Sequence, residues 1–226
     1  PGEYIIDIAK KIIKTKPTIN LKNLDDIYND LHKLSINLSL DMIKNDLNKL
    51  GIKHDIFIFE NELIKNKTVE KAVNKLKDKK FVIEGYLEEP KGEEKKDWKR
   101  IKRLIFKSSL FGDDADRALQ KNDGSWTYFA SDVGYHSFKI YRKFNSLINI
   151  LGADHTGYIK RINAAVKALS DNKVILNCKV CQLVKLYKKG KPYKMSKRAG
   201  DFITVKDLLS EVDKDSIRFM MLSRSN

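Results

Sequence analysis

The sequence predicts an α/β protein, and three observations carry that prediction. Apolar residues recur at helical spacing through the first fifty residues, then give way to Asp55-Ile56-Phe57-Ile58-Phe59, a β-branched and aromatic run suited to a buried strand. Leu147-Ile148-Asn149-Ile150-Leu151-Gly152 is almost continuously apolar, as a parallel strand is, and apolar positions at helical spacing follow it. A further strand-like run crosses residues 174–186. Helices alternating with strands imply layers of helix packed on sheet.

Taken in order, Leu24, Ile27, Tyr28 and Leu31 predict one amphipathic helix, and Met42, Ile43 and Leu47 a second that Gly51 closes. From 61 to 122 the texture changes to a Lys/Glu-rich helical stretch and possible strands at 81–87 and 101–107, separated by the charged segment 88–99; this reads as an insertion. Asn122-Asp123-Gly124 has the chemistry of a tight hairpin turn, joining a strand near 117–121 to one near 126–130. Tyr158, Ile162, Ala165, Val166 and Leu169 form the stripe of the helix after the 147–152 strand. Gly152-Ala153-Asp154-His155 thereby falls at the carboxyl end of a strand, where open α/β sheets bind ligands. Residues 188–192 form a basic turn, Thr204 is the expected N-cap of a helix over 205–212, and Asp215 that of one over 216–222. No internal repeat is visible.

The 226 residues suffice for one large domain or one and a half, at roughly 100–200 residues per domain. With 42% hydrophobic and 33% charged residues the chain can bury a core under a solvated surface, which excludes disorder and a fibrous protein. No apolar stretch nears the roughly 20 residues that span a bilayer, and no signal-peptide core opens the chain, so neither membrane insertion nor secretion is expected. Cys178 and Cys181 cannot build a disulfide framework, making a reducing cytoplasm the expected compartment. The net charge of +15 attracts phosphate backbones. Yet 37 of the 45 basic residues are Lys, and lysines scattered on helix faces raise charge without making a site. Charge alone leaves nucleic-acid binding and compositional bias both open.

The sharpest local signal is Lys194-Met195-Ser196-Lys197-Arg198-Ala199-Gly200. Two lysines separated by two small or flexible residues can bracket a triphosphate and neutralise charge as pyrophosphate leaves; the plain alternative is a solvated basic loop. The segment resembles the KMSKS-type signature of class I aminoacyl-tRNA synthetases. Three further stretches narrow the resemblance to arginyl-tRNA synthetases: the run from Phe111 through Gly112-Asp113-Asp114-Ala115-Asp116 to Arg117, the run Tyr128-Phe129-Ala130-Ser131-Asp132-Val133-Gly134-Tyr135-His136, and the run from Leu147 through Gly152-Ala153-Asp154-His155-Thr156-Gly157 to Tyr158. It covers essentially the whole chain and is strongest from Ser108 onward.

The resemblance implies a Rossmann-like nucleotide-binding catalytic domain of the class I type, incomplete, with an inserted α+β segment. Residues 1–60 would belong to the first half of the catalytic domain, 61–126 to the insertion, 127–204 to the second half with the lysine loop, and 205–226 to a helical stem leading to an anticodon-binding domain. It implies ATP-dependent activation of L-arginine and its transfer to tRNA(Arg), with magnesium arriving on ATP, no tightly bound cofactor or protein-held metal, and a cytoplasmic monomer. Lys194, Met195, Ser196 and Lys197 would form the catalytic loop. Tyr128, Asp132 and His155 would meet arginine, and Gly152, Asp154, His155, Gln182, Val184 and Lys197 would meet ATP. A carboxylate can hold a planar guanidinium through paired, charge-assisted hydrogen bonds, which a compact ammonium cannot reproduce. Each residue also has a structural reading: Tyr128 as a core strand aromatic, Asp132 as N-cap of a helix starting at Val133, His155 as a buried histidine. His136 is expected to be structural.

The second class I signature, resembling His-Ile-Gly-His, is absent around His32, His54, His136 and His155. The chain starts without methionine and stops where relatives continue, so the expectation is a fragment lacking the amino-terminal tRNA-binding domain, the first strand–helix unit and the anticodon domain. A missing central strand would expose apolar strand edges and helix faces, and the 226 residues alone are expected not to make arginyl-adenylate. Cys178-Lys179-Val180-Cys181 is short of ligands for zinc and is expected to pack. Arg117 is expected to anchor the acidic cluster Asp113, Asp114 and Asp116. Two other readings stay open: a non-catalytic basic tRNA-binding fragment or paralogue, and a nucleotide-binding module with another partner.

Overall fold

The computed structural model describes residues 2, 4–17, 23–87, 101–182, 186–188, 190–193 and 203–223. The chain forms two compact units, one from Phe57–Leu183 and one from Pro1–Ile56 together with Val184–Ser225.

In the unit from Phe57 to Leu183, helices α3 (Glu60–Lys65) and α4 (Thr68–Asp78) precede an antiparallel sheet of β1 (Val82–Gly85), β2 (Arg103–Phe106) and β3 (Arg117–Ala118), in the order β1-β2-β3. Helix α5 (Tyr128–Tyr141) then leads to β4 (Ser146–Gly152), a 3-10 turn (Ala153–Tyr158), α6 (Ile159–Ser170) and β5 (Ile175–Cys181). β4 and β5 pair in parallel from Ser146↔Ile175 to Gly152↔Cys181, a strand–helix–strand crossover. The α/β expectation holds, and helices α3 and α4 precede an antiparallel sheet within the same unit.

One core joins the two sheets. Val69, Ala72, Val73 and Leu76, three and four residues apart on α4, meet Phe106 of β2, Leu119, the α5 residues Phe129 and Val133, and Ile162, Val166 and Leu169 of α6. Leu147 and Leu176 reach the same core from β4 and β5. Each such side chain contributes roughly 1.5–3 kcal/mol by leaving water. Gly134 lets α5 lie close to α4: a Cβ there would stand 2.9 Å from Val69 Cγ2 and 3.0 Å from Val69 Cα. The opposite face of the parallel pair is open, with Ile148 64%, Ile150 65% and Ile175 62% exposed. That is why the 147–152 run is apolar at alternate as well as adjacent positions: a parallel strand offers two apolar faces, and the described residues cover only one.

In the other unit, α1 (Tyr4–Thr15) buries Ile8 and Ile12, α2 spans Leu24–Lys49, β6 (Leu186–Lys188) and β7 (Lys191–Tyr193) pair around Gly190, and α7 (Val205–Glu211) and α8 (Lys214–Ser223) follow. The two helices expected within 24–50 are therefore one. The stretch between them, with Leu34, Ile36, Leu38 and Leu40 and neither glycine nor proline, holds nothing to break it. α2 ends as expected at Gly51: its φ is +70°, its N–H bonds the Asn48 carbonyl at 2.9 Å, and Ile52 N–H bonds that of Leu47 at 2.8 Å, the paired closure of a Schellman motif. Thr204 caps α7 through a reciprocal capping box with Asp207.

Four further local expectations fail. Residues 55–59 are irregular and half-exposed rather than a buried strand, because a β-prone run becomes a strand only with a neighbour to complete its ladder, and no ladder of the described residues includes it. The hairpin turn forms, with Gly124 at φ +81° and a single bridge between Gln120 and Trp126, but the returning strand stops there: Thr127 caps a helix instead. The cap of α8 is Asp213, whose Oδ1 accepts from the N–H groups of Asp215 and Ser216 at 3.0 Å each, and not Asp215. The run 174–186 likewise divides, β5 ending at Cys181 and β6 starting at Leu186.

Candidate active site

Thr127 starts α5 at a defined residue: its Oγ1 accepts from the Ala130 N–H at 3.2 Å. Starting there, Tyr128, Ser131, Asp132 and Tyr135 fall on one face, and with Ile58, Glu60 and Leu63 they line a cleft of about 280 Å³. Asp132 and Tyr135, with His136 and Lys139 on the next stripe, also line a neighbouring cleft of about 300 Å³, whose other wall is Ile148–Leu151 of β4 with Tyr158 and Ile162. Asp132 thus stands between two cavities. It is a mid-helix residue rather than an N-cap, and Tyr128 is 80% exposed at the helix start rather than a strand aromatic in the core.

The Asp132 carboxylate is held from across the cleft by the Tyr158 hydroxyl, which donates to Oδ2 at 2.5 Å. Burial, and then that hydrogen bond, push the Tyr158 phenol far above the ordinary tyrosine range. The guanidinium of Arg161 lies 5.3 Å from the Tyr158 ring centroid and 6.0 Å from that of Phe129, so the ring that orients the carboxylate is packed under a cation. A carboxylate has about four lone-pair sites, and the tyrosine takes one. His136, 3% exposed, packs below: Nδ1 is 2.8 Å from the Asp132 carbonyl oxygen and Nε2 is 2.9 Å from Asn149 Nδ2. Burial pushes its imidazole down, which favours the neutral ring and fits the expected structural role. Lys139 Nζ donates to Asn149 Oδ1 at 2.9 Å and lies 4.4 Å from the Tyr135 ring centroid.

Gly152, Asp154 and His155 stand at the carboxyl end of β4, where the Asp154 carboxylate folds back over Gly152, so that a Cβ there would meet Asp154 Oδ1 at 2.5 Å. His155 is exposed, its Nε2 3.5 Å from Asp154 Oδ2, so the buried-histidine reading fails. Gln182 follows Cys181, which pairs with Gly152, so it leaves from the same end of the parallel pair. Gly152, Asp154, His155 and Gln182 line neither cleft. Val184, Lys194, Met195, Ser196 and Lys197 lie outside the described residues. The structure therefore brings Tyr128 and Asp132 together and sets Gly152, Asp154, His155 and Gln182 at the adjacent strand ends. Tyr158, Lys139 and Asn149 were missed, Tyr158 because it also fits the apolar stripe leading into α6.

Arg117 does anchor the acidic turn: its Nε donates to Asp113 Oδ2 at 2.8 Å, Nη2 donates to Asp113 Oδ1 at 2.9 Å, and Nη2 also bonds Asp114. Asp116 instead accepts from the Ser109 hydroxyl at 2.6 Å. Among the described residues no group of three or more His, Cys, Asp or Glu is placed to hold a metal, both cysteines are free thiols, and no helix is long and apolar enough to cross a membrane.

Known proteins are similar to this chain in sequence and in fold. The family model described as tRNA synthetases class I (R), catalytic domain, matches residues 7–226. An arginine–tRNA ligase of Pelagibacter ubique is 55% identical over all 226 residues, which span 39% of its length, and that of Wolbachia sp. subsp. Brugia malayi is 46% identical over 226 residues and 40% of its length. A crystal structure from Campylobacter jejuni, described as an arginyl-tRNA synthetase, superposes with a TM-score of 0.78 at 32% identity over 99% of this chain and 45% of that one. The chain thus spans about two fifths of the length of the curated relatives it matches.

Proposed function

The chain belongs to the class I arginyl-tRNA synthetase catalytic-domain family, and from that premise we propose that it forms part of the catalytic domain of an arginine–tRNA ligase. The observation that carries the proposal is the half-buried Asp132 carboxylate, fixed on one oxygen by Tyr158 and flanked by Tyr128 on the same helical face. Asp132 takes the arginine guanidinium in paired charge-assisted hydrogen bonds, and Tyr128 packs on or bonds to it. Lysine would leave acceptors of the cleft without donors, so the same geometry selects against it.

ATP, carrying its magnesium, lies along the carboxyl ends of β4 and β5. Gly152 admits ribose or adenine to the backbone, His155 or Asp154 bonds ribose or the substrate amino group, and the backbone at Gln182 and Val184 holds adenine. Lys194, Met195, Ser196 and Lys197 form the loop whose two ammonium groups flank the triphosphate, Lys197 touching ATP. An arginine carboxylate oxygen forms a bond to the α-phosphorus as the bond to pyrophosphate breaks; a ribose hydroxyl of the terminal tRNA adenosine then attacks the arginyl carbonyl and AMP leaves. No protein nucleophile takes part, and the residues contribute by positioning and by charge stabilisation. Residues 61–126 act as the insertion and 205–226 as the stem of a longer ligase working as a cytoplasmic monomer on tRNA(Arg).

The test is intact mass together with arginine-dependent ATP–pyrophosphate exchange in the presence of tRNA. A mass well above 26.1 kDa with exchange, and a loss of about a hundredfold or more in kcat/KM for arginine in Asp132→Asn, are expected. Exchange that does not depend on arginine would overturn the reading. The net charge of +15 favours one alternative, a non-catalytic tRNA-binding role, and RNA binding with steep salt dependence but no exchange would establish it.

A further inference from the structure

We propose that Lys139 is a positioning residue that determines, through Asn149 and His136, how Asp132 is held against the cleft. The inference rests on the arginine-binding reading of Asp132. An ammonium can only donate. Lys139 Nζ lies 2.9 Å from Asn149 Oδ1, so the amide turns its oxygen to the lysine and its NH2 away from it. That NH2 is 2.9 Å from His136 Nε2, which must then accept, and the imidazole proton is left on Nδ1, 2.8 Å from the Asp132 carbonyl oxygen. Every link follows from the one before, and Lys139 is the member with no choice of role.

Two features keep the lysine in place. Its ammonium rests on the Tyr135 ring at 4.4 Å, and its stem is half-buried on the inner face of α5. Without that donor the Asn149 amide can rotate and present its oxygen to His136, drawing the ring proton to Nε2. Nδ1 would then face the Asp132 carbonyl with a lone pair, two acceptors at a hydrogen-bond distance, and the helix turn bearing the carboxylate would have to yield. Tyr158 holds the side chain of Asp132, whereas the Lys139 chain holds its backbone. Losing the second changes where the carboxylate points while leaving its charge intact.

Ring-15N histidine labelling of the intact protein, with His136 assigned from His136→Gln, reads the tautomer directly, and arginine-dependent exchange reads its consequence. The expected results are an Nδ1–H ring in the natural protein and in Lys139→Arg, and a shift to Nε2–H in Lys139→Met. The arginine KM of Lys139→Met should rise about tenfold with kcat within about twofold, because a misplaced recognition group weakens ground-state and transition-state binding together. Lys139→Arg should restore the KM. A folded Lys139→Met that keeps the Nδ1–H ring, or that changes tautomer with no change in KM, would overturn the proposal. If Lys139→Met does not fold, Asn149→Asp serves: two acceptors facing Lys139 and His136 should give a doubly protonated ring at neutral pH, and a neutral Nδ1–H ring there would overturn it equally. Natural protein with the Nδ1–H ring but no arginine-dependent exchange counts against the arginine reading and leaves the lysine–asparagine–histidine chain standing.

Discussion

The Tyr158 hydroxyl donates to Asp132 Oδ2 across 2.5 Å, joining the turn after β4 to the second turn of α5. Tyr158→Phe keeps the ring packing against Phe129 and removes only this bond. Hydrogen bonds to charged groups contribute about 1.5–3 kcal/mol, so a loss within that range in urea unfolding at neutral pH is expected. The stabilisation is complete below the ordinary tyrosine range near pH 10 and declines as the pH rises above it, since unfolded Tyr158 ionises there while the folded phenol keeps its proton. The phenylalanine variant should lack that alkaline decline, and stability curves of the two proteins that stay parallel from pH 8 to 11 would contradict the assignment.

Asp113 has the opposite sign. Burial pushes its carboxyl up, but bonds from Arg117, Ser108 and the Asp114 backbone outweigh burial and hold it well below the usual carboxylate range. Its contribution is present above the unfolded value near pH 4 and is lost as the pH falls below it. Asp113→Asn leaves the Arg117 guanidinium without its main partner and should cost about 2–4 kcal/mol at pH 7, toward the lower side of a broken buried pair because Arg117 keeps 22% of its side chain in water. The variant should also unfold with a shallower acid limb, which circular dichroism between pH 2 and 5 measures.

Gly134→Ala sets two effects against each other. Alanine in a helix interior is favoured by about 1 kcal/mol over glycine, yet the added methyl would stand 3.0 Å from the Val69 backbone, which cannot rotate away. Overpacking of this kind costs about 1–3 kcal/mol. A net destabilisation is expected, and an unchanged or raised melting temperature would show that α4 and α5 separate more easily than their packing implies.

Thr204→Ala removes the hydroxyl half of the reciprocal cap on α7, leaving the Asp207 N–H without its acceptor, while the backbone N–H of residue 204 still donates to the Asp207 carboxylate. About 1 kcal/mol of local stability should go with it. Faster amide exchange confined to the first turn after residue 204 is the expected signature; uniform exchange across the chain would place the effect elsewhere.

Much of the local structure was legible in residue order. Gly51 closes α2, Thr204 opens α7, Gly124 turns the 121–125 hairpin, and a strand, a glycine and a helix run in order from Ser146 to Ser170. Each rests on hydrogen bonds or periodicity within a few residues, so neighbours in sequence suffice to specify it. The runs around 111–117, 128–136 and 147–158 likewise identify the family, because these stretches can be compared without knowing how they fold. What only the tertiary structure decided is which groups meet across the chain. Residues 55–59 have the composition of a strand and lack the ladder; Tyr128 and Asp132 fall on a helix because Thr127 caps one. Asp132 takes its hydroxyl partner from 26 residues away, and Asn149 reaches His136 from a strand 13 residues on. A hydrogen bond between distant residues exists only once packing has paid the entropy of bringing their elements together, and no local pattern records that outcome.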